Sequence, residues 1–350
     1  MPSNLESWLV WPVLLESSLF GFFALIMLVR AAWIPARVRR LSARLDSARD
    51  ALFAYLTDPS ARRDPVLEQL ERLPQPQQLA LLGGLSRQLD GLERVRLEAL
   101  ASSLGLVDAA VAACASDTWW KRLQGVRTLL LLGSPSSIPF EMVRDPHALV
   151  RAEAVRRWAN TPIEGIPHLL ALLDDPTPVG RFAVQDALLR IGSPVTRALG
   201  EHLVKARPLG LTAAIEVAAR LADSSHLKPG LALSYYETFE VRAAAAGLLG
   251  ALGGAESRER LLHMLEDQSS LVREATLSAL AGMGEWSVAP TVARLLRDDE
   301  WSVRRRAALS LAHFGSAGKL YLMKASEEPG PAGEMARYAL SLPDSALEAS

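Results

Sequence analysis

The sequence predicts an all-α protein: a right-handed α-solenoid of helix pairs with a period of about 30 residues, preceded by one N-terminal transmembrane helix. Three observations carry this. One arginine-to-glycine layout keeps returning along the chain. Apolar residues inside each copy recur three and four apart, the helical period. Near the N-terminus, a run of 22 residues is almost wholly apolar.

The clearest copy of the layout is DDEWSVRRRAALSLAHFG, Asp298 to Gly315, in which Arg304 stands eleven residues before Gly315. The same step separates Arg94 from Gly105, Arg122 from Gly133, Arg181 from Gly192, Arg242 from Gly253 and Arg273 from Gly284. Arg151 fits as well, with Pro162 in the glycine position. Successive arginines are 28, 29, 30, 61, 31 and 31 residues apart, so a degenerate copy centres near Leu211, in PLGLTAAIEVAARLAD. Self-similarity at a fixed period of this size marks stacked supersecondary units.

Each copy has one plan. An acid (Asp145, Asp175, Asp267, Asp298) opens the second helix, where its side chain can cap orphan N–H groups. After Asp145 and Asp175 comes Pro, which suits a first helical turn. Val-Arg and an Ala/Leu run follow, and Gly closes the helix, where positive φ is cheap. Ser-Pro starts the next helix after Gly133 and Gly192. Ala, Gly and Ser on the second helices, as in AAAAGLLGALGG, let neighbouring copies stack closely.

This D-x(4–5)-V-R-x-x-A-x-x-A-L-x-x-L-G layout resembles HEAT repeats, and most of all the short HEAT-like class named for phycobilisome lyases; the resemblance covers about Arg94 to Gly315. It implies a binding scaffold whose Val-Arg arginines bridge to acids of neighbouring units, a structural ladder of Arg122, Arg151, Arg181, Arg242, Arg273 and Arg304.

The expected organisation is a short extracytoplasmic N-terminus (1–7), a transmembrane helix (8–29), a basic juxtamembrane segment (30–40) and a diverged helical cap (41–93). HEAT-like repeats (94–325) follow, then a C-terminal cap helix and loose tail (326–350). The run WLVWPVLLESSLFGFFALIMLV is long enough to cross a ~30 Å hydrocarbon core at about 1.5 Å per residue. Trp8, Trp11 and Trp33 stand where interfacial aromatics belong. Arg30, Arg37, Arg39, Arg40 and Arg44 follow the run, and no Lys or Arg precedes it. By the positive-inside rule the repeats face the cytoplasm. A cleaved signal peptide would have a basic segment first and a shorter apolar run. The expected place is therefore the inner membrane of a bacterium, single-pass, with the N-terminus outside.

Glu16 falls within the run, and an ionisable group there is by default functional. With Ser17, Gly21 and Ala24 it forms a face that a second membrane helix can approach; a protonated Glu16 beside chance small residues is the alternative reading.

Composition excludes more than it assigns. A net charge of −1 gives no global field for nucleic acid. One cysteine, Cys114 in LVDAAVAACA, rules out an internal disulfide framework and suits a small buried side chain. The histidines (147, 168, 202, 226, 263 and 313) are scattered, and no His-Glu dipeptide of the kind carried by HEAT-like metal hydroxylases occurs, so no metal or other cofactor is expected. Phosphate-loop and nucleophile-elbow motifs are absent. Asp117–Arg122 (DTWWKR) is the only hint of the Trp and Asp that resembling DNA glycosylases use.

The expectation is thus a membrane-anchored scaffold or adaptor for protein partners, without catalysis of its own. The alternatives are a lyase-type or modifying enzyme, or a nucleic-acid binder. Candidate partner-binding residues are Trp119, Trp120, Arg156, Arg157, Trp158, Arg190, Trp301, Arg305 and Arg306, read as the lining of a concave face for an acidic partner. The competing reading places these tryptophans in the core between repeats.

Overall fold

Helices follow one another from end to end of this computed structural model, and no strand occurs among the described residues. The structure describes the backbone of residues 5–86, 88–158, 165–205 and 208–343, and their side chains except those of 5–14, 29–40 and 158. It divides into two compact units, Met1–Pro139 and Phe140–Ser350.

The first unit begins with α1, Leu5–Thr57, which is continuous over the expected membrane run, the basic segment and the start of the expected cap. Then come α2 (Asp64–Glu71), α3 (Gln75–Ser86), α4 (Gly91–Ser103), α5 (Leu106–Cys114) and α6 (Trp119–Leu131). Leu52, Leu70, Leu82, Leu97, Leu100 and Leu129 are fully buried and form its core. Gln78, also buried, donates to the Leu70 and Leu73 carbonyls at 2.9 and 3.0 Å, so orphan acceptors at the end of α2 are satisfied.

The second unit alternates short linker helices with longer second helices. Its order is α7 (Ala148–Val155), α8 (Ile166–Ala171), α9 (Pro178–Ile191), α10 (Thr196–Leu203), α11 (Pro208–Leu221), α12 (Leu227–Leu233) and α13 (Phe239–Leu252). It continues with α14 (Gly254–Met264), α15 (Ser270–Gly282), α16 (Ala289–Arg294), α17 (Trp301–His313), α18 (Gly315–Ser326) and α19 (Pro331–Ser341). The second helices α7, α9, α11, α13, α15 and α17 pack in that order, each on the next. One apolar cluster runs from Ala246 on α13 through Leu280 and Leu311 to Ala339 on α19.

Small side chains set the spacing. A Cβ on Gly250 of α13 would stand 2.6 Å from the Ala279 Cβ of α15, so only glycine allows that approach. Gly105, Gly133, Gly192, Gly253, Gly284 and Gly315 all have φ between 63° and 76°, the left-handed turn that ends each second helix. In the degenerate copy, α11 occupies the expected place, and the glycine position is filled by Ala222 at φ 49°.

Two details of the expected plan are corrected. The repeat acids are not the N-caps: the cap residues are His147, Thr177, Ser269 and Glu300, two positions later. Each acid instead accepts the N–H of that cap residue, closing an Asx turn ahead of the helix. Pro146 and Pro176 accordingly lie outside the first helical turn, in that approach.

The expected transmembrane helix at 8–29 lies partly among side chains outside the described set. Among the described residues, no single helix is long and apolar enough to cross a membrane; the apolar stretch that is described is Leu15–Leu28. All of that stretch is exposed, with Phe20 at 80%.

Candidate functional site

The recurrent arginines and acids meet at one end of the second helices. Arg273, in the first turn of α15, extends Nε and Nη2 to the two carboxylate oxygens of Asp298, each at 2.8 Å. Its Nη1 donates backward to the carbonyls of Asp267 and Gln268 at 2.8 and 3.3 Å. Arg242 repeats the pattern, with Nε and Nη2 on Asp267 at 2.8 and 2.9 Å and Nη1 on the Tyr236 and Glu237 carbonyls. Arg151 does the same with Asp175, at 2.6 and 2.9 Å, and with the Asp145 and Pro146 carbonyls. The guanidinium fork matches a carboxylate in this bidentate way, and all three pairs are largely shielded from water.

These pairs set the charge state of the acids. Partial burial pushes the Asp175 carboxyl up, but Arg151 and the hydroxyl and amide of Thr177 outweigh it and hold the pKa below its ordinary value. Asp267 and Asp298 are lowered in the same way, against burial, by Arg242 and Arg273 and by the amides of Ser269 and Glu300.

Arg181 and Arg304 show the backward half of the pattern. Arg181 Nη1 donates to the Asp175 carbonyl at 2.8 Å, and Arg304 Nη1 to the Asp298 and Asp299 carbonyls at 2.7 Å each. Pro329 stands where the next repeat's acid would fall, and Arg304 Nε is buried without a hydrogen-bond partner. Where Arg181 would meet its acid, the degenerate repeat has none. Asp174 there accepts instead from the Gly210 N–H at 3.1 Å. In the first unit, Arg122 Nη1 donates to the Ser116 and Asp117 carbonyls.

Above the ladder lies a rim of which sequence reasoning had named only Trp119, Trp120 and Trp301. Two or three residues before each repeat arginine, and before Leu211, the first turn exposes a large apolar side chain. In the second unit these are Leu149, Val179, Leu209, Phe239, Leu271 and Trp301, at 38–57% exposure. In the first unit, Leu92, Trp119 and Trp120 hold the equivalent place. Part of the signal was available: Leu149 and Leu271 stand directly before the buried valine of a Val-Arg pair, on another face of the helix.

Trp119, Trp120 and Trp301 are therefore not inter-repeat core. Lys121 Nζ stands 5.4 Å from the Trp120 ring, and Arg305 stands 5.9 Å from the Trp301 ring, as cation–π neighbours. Arg156, Arg157 and Arg190 do not join them in one lining. Arg156 pairs with Glu153 and Arg190 with Asp186, both at 2.9 Å, toward the opposite ends of α7 and α9. Arg157 is half-buried; burial lowers its pKa and Glu141 opposes that shift. Arg306 lies 3.9 Å from Glu274 of the neighbouring helix. The Trp158 side chain lies outside the described residues. Glu16, Ser17, Gly21 and Ala24 are exposed on α1, and a Cβ at Gly21 would meet nothing within 4 Å.

Stacked helix pairs joined along one edge by an Arg–Asp ladder define an α-solenoid repeat protein. Residues 259–340 match the family of HEAT repeats, and residues 241–267 match the PBS lyase HEAT-like repeat. No curated protein matches the chain. Among solved structures it resembles the complex of CpcE and CpcF of phycocyanin lyase from a Nostoc species, at 21% identity over 51% of this chain and 100% of that one, with a TM-score of 0.31. It also resembles human deoxyhypusine hydroxylase, at 21% identity over 85% and 96% of the two chains, with a TM-score of 0.30. Kap95p, from a structure with RanGDP, gives a TM-score of 0.51 at 13% identity over 89% of this chain and 52% of that one. That likeness is one of fold alone, and this chain spans about half of Kap95p.

One expectation is corrected by the family match. A chain without catalysis was expected, yet residues 241–267 carry a repeat class named for a lyase, which points toward a lyase-related protein.

Proposed function

We propose that this chain is a HEAT-repeat adaptor that presents its rim to a protein partner at a membrane. The carrying observation is the run of exposed apolar side chains from Leu149 to Trp301, one per repeat, on a stack whose register is fixed by bidentate Arg–Asp pairs. Isolated exposed apolar residues are ordinary, but a contiguous row marks an interaction surface. A rigid base keeps the ordering cost of binding low.

In this proposal the right-handed solenoid is cytoplasmic and the Trp8–Val29 run is its anchor in a bacterial inner membrane. An exposed helix that is mostly apolar, as α1 is over Leu15–Leu28, is at home in lipid or against other apolar helices. Glu16, Ser17, Gly21 and Ala24 form the face that meets a second membrane helix. Tethering raises the effective concentration of whatever the rim binds.

The test is co-purification in mild detergent, with proteins identified by mass spectrometry, for three forms: the full chain, its Glu16→Leu/Gly21→Leu variant, and a form beginning at Leu41. A partner kept by all three supports the rim as the binding element and α1 as a tether. A partner kept by the full chain but lost from both the double variant and the form beginning at Leu41 moves recognition into the membrane helix. No protein partner in any form overturns the adaptor reading.

The lyase-class match favours a second reading, a lyase-type protein acting on a chromophore. A chromophore co-purifying with the full chain, seen as visible absorbance, would favour it; colourless protein would count against it.

A further inference from the structure

Charge divides the rim into two parts. In the stretches before α7 and α9, residues 146–150 and 176–180 contain no carboxylate beside Leu149 and Val179. The last three steps differ. Phe239 is flanked by Glu237 and Glu240, and Trp301 by Asp299 and Glu300, all four acids exposed. Leu271 lies between them. The cations nearest these first turns are largely engaged: Arg242 and Arg273 are neutralised by Asp267 and Asp298, Arg304 caps carbonyls, and Arg305 lies over the Trp301 ring.

The ladder itself sets the three first turns side by side. Arg242 links the first turn of α13 to the turn before α15, and Arg273 links the first turn of α15 to the turn before α17. Phe239, Leu271 and Trp301 stand in those same first turns. Between Phe239 and the start of α15 a groove opens, lined by Glu237, Phe239, Glu240, Arg242, Gln268 and Ser269. Packed helices lie about 8–10 Å apart, so the apolar side chains recur at roughly that step. A helix rises about 1.5 Å per residue, so residues seven apart on one face are separated by about 10.5 Å.

We infer that Phe239, Leu271 and Trp301, with Glu237, Glu240, Asp299 and Glu300, dock a basic amphipathic helix of a partner protein whose apolar side chains recur every seven residues. This rests on the adaptor reading and specifies its partner. The apolar side chains fill the spaces between rim residues, and Lys or Arg on the flanks meets the four carboxylates. Such docking uses the helix-in-groove mode, with Trp301 as the anchor most costly to remove. The partner is thus basic, opposite in sign to the acidic partner expected from the sequence.

The probe is a 21-residue synthetic helix, Leu at every seventh position with Lys alongside, bearing a fluorophore. Its counterpart replaces Lys with Glu. Binding is measured by anisotropy to the full chain in phosphatidylcholine nanodiscs, with empty discs subtracting lipid binding. The Lys peptide should bind and the Glu peptide should not, with affinity falling as salt rises. Leu271→Ser/Trp301→Ser should weaken binding by about tenfold or more. Glu237→Gln/Glu240→Gln/Asp299→Asn/Glu300→Gln should weaken it and flatten the salt dependence. Leu320→Ser, exposed on α18 and outside the rim, should leave it unchanged, and unaltered thermal melts establish that all variants fold.

No binding, equal binding of both peptides, or equal binding by the Leu271/Trp301 variant overturns the inference. If that variant still co-purifies the native partner in full, the rim inference fails while the adaptor reading stands. Absence of any co-purifying protein sinks the adaptor reading instead.

Discussion

Arg273 and Asp298 join two consecutive repeats through paired 2.8 Å hydrogen bonds, while the same guanidinium holds the Asp267 carbonyl behind it. One side chain therefore ties three segments, and Asp298 in turn holds the Glu300 N–H that begins α17. Removing the arginine strands a shielded carboxylate and frees two carbonyls. Arg273→Ala should destabilise the second unit by about 2–3 kcal/mol, from charged hydrogen bonds of this kind. Arg304→Ala, which breaks carbonyl caps but no carboxylate pair, should lose about 1 kcal/mol. Urea denaturation of the two variants checks the difference, and a double-mutant cycle with Asp298→Asn isolates the pair.

Acid should loosen the same ladder. Asp175, Asp267 and Asp298 have folded pKa values below ordinary, so the unfolded chain takes up their protons first as pH falls. Their contribution is complete above the unfolded carboxylate value of about 3.9 and is lost as pH drops through the lower folded values. Thermal melts should show this contribution flat from about pH 5 to 7 and declining below about 4. An Arg151→Met/Arg242→Met/Arg273→Met variant should start lower and show a shallower acid limb.

Ala222 holds φ 49° where the other repeats place glycine. A left-handed backbone penalises a Cβ by roughly 1–2 kcal/mol. Ala222→Gly should therefore raise stability by about 0.5–1 kcal/mol, with some of the gain offset by greater freedom of the unfolded chain. Gly253→Ala, at φ 68°, should lower it by about 1 kcal/mol. Denaturation midpoints of the two variants should move in opposite directions.

Gly250 and Gly247 lie one turn apart on α13 but face different surroundings. A side chain at Gly250 runs into Ala279, whereas one at Gly247 meets nothing within 4 Å. Gly250→Val should destabilise by about 1–3 kcal/mol through overpacking. Gly247→Ala should be neutral or stabilise by up to about 1 kcal/mol, from helix propensity alone.

Much of the fold was legible because its devices are local. Left-handed helix ends need glycine, so Gly133, Gly192, Gly253, Gly284 and Gly315 announced where second helices stop, and the Val-Arg pairs announced where they start. The acids were visible, but their task was displaced by two residues: Asp175 serves Thr177 and Arg151 rather than capping α9 itself. The site was less legible because it depends on which side of a helix start faces out. Trp301 and Trp119 suit a core as well as a rim by composition, and only the packed stack shows them exposed. Arg156 and Arg190 looked available for a ligand, yet each pairs with an acid one turn away on its own helix. In α1 no glycine or acid marks a boundary, and the helix runs from the apolar run into the first unit without interruption.

The most direct measurement is backbone hydrogen–deuterium exchange on the full chain, free and in complex with its co-purified partner. The account predicts slowed exchange in residues 237–242, 267–273 and 298–304, with the far ends of α7 and α9 unchanged. Protection centred on those far ends, near Arg156 and Arg190, with the rim unaffected, would contradict it.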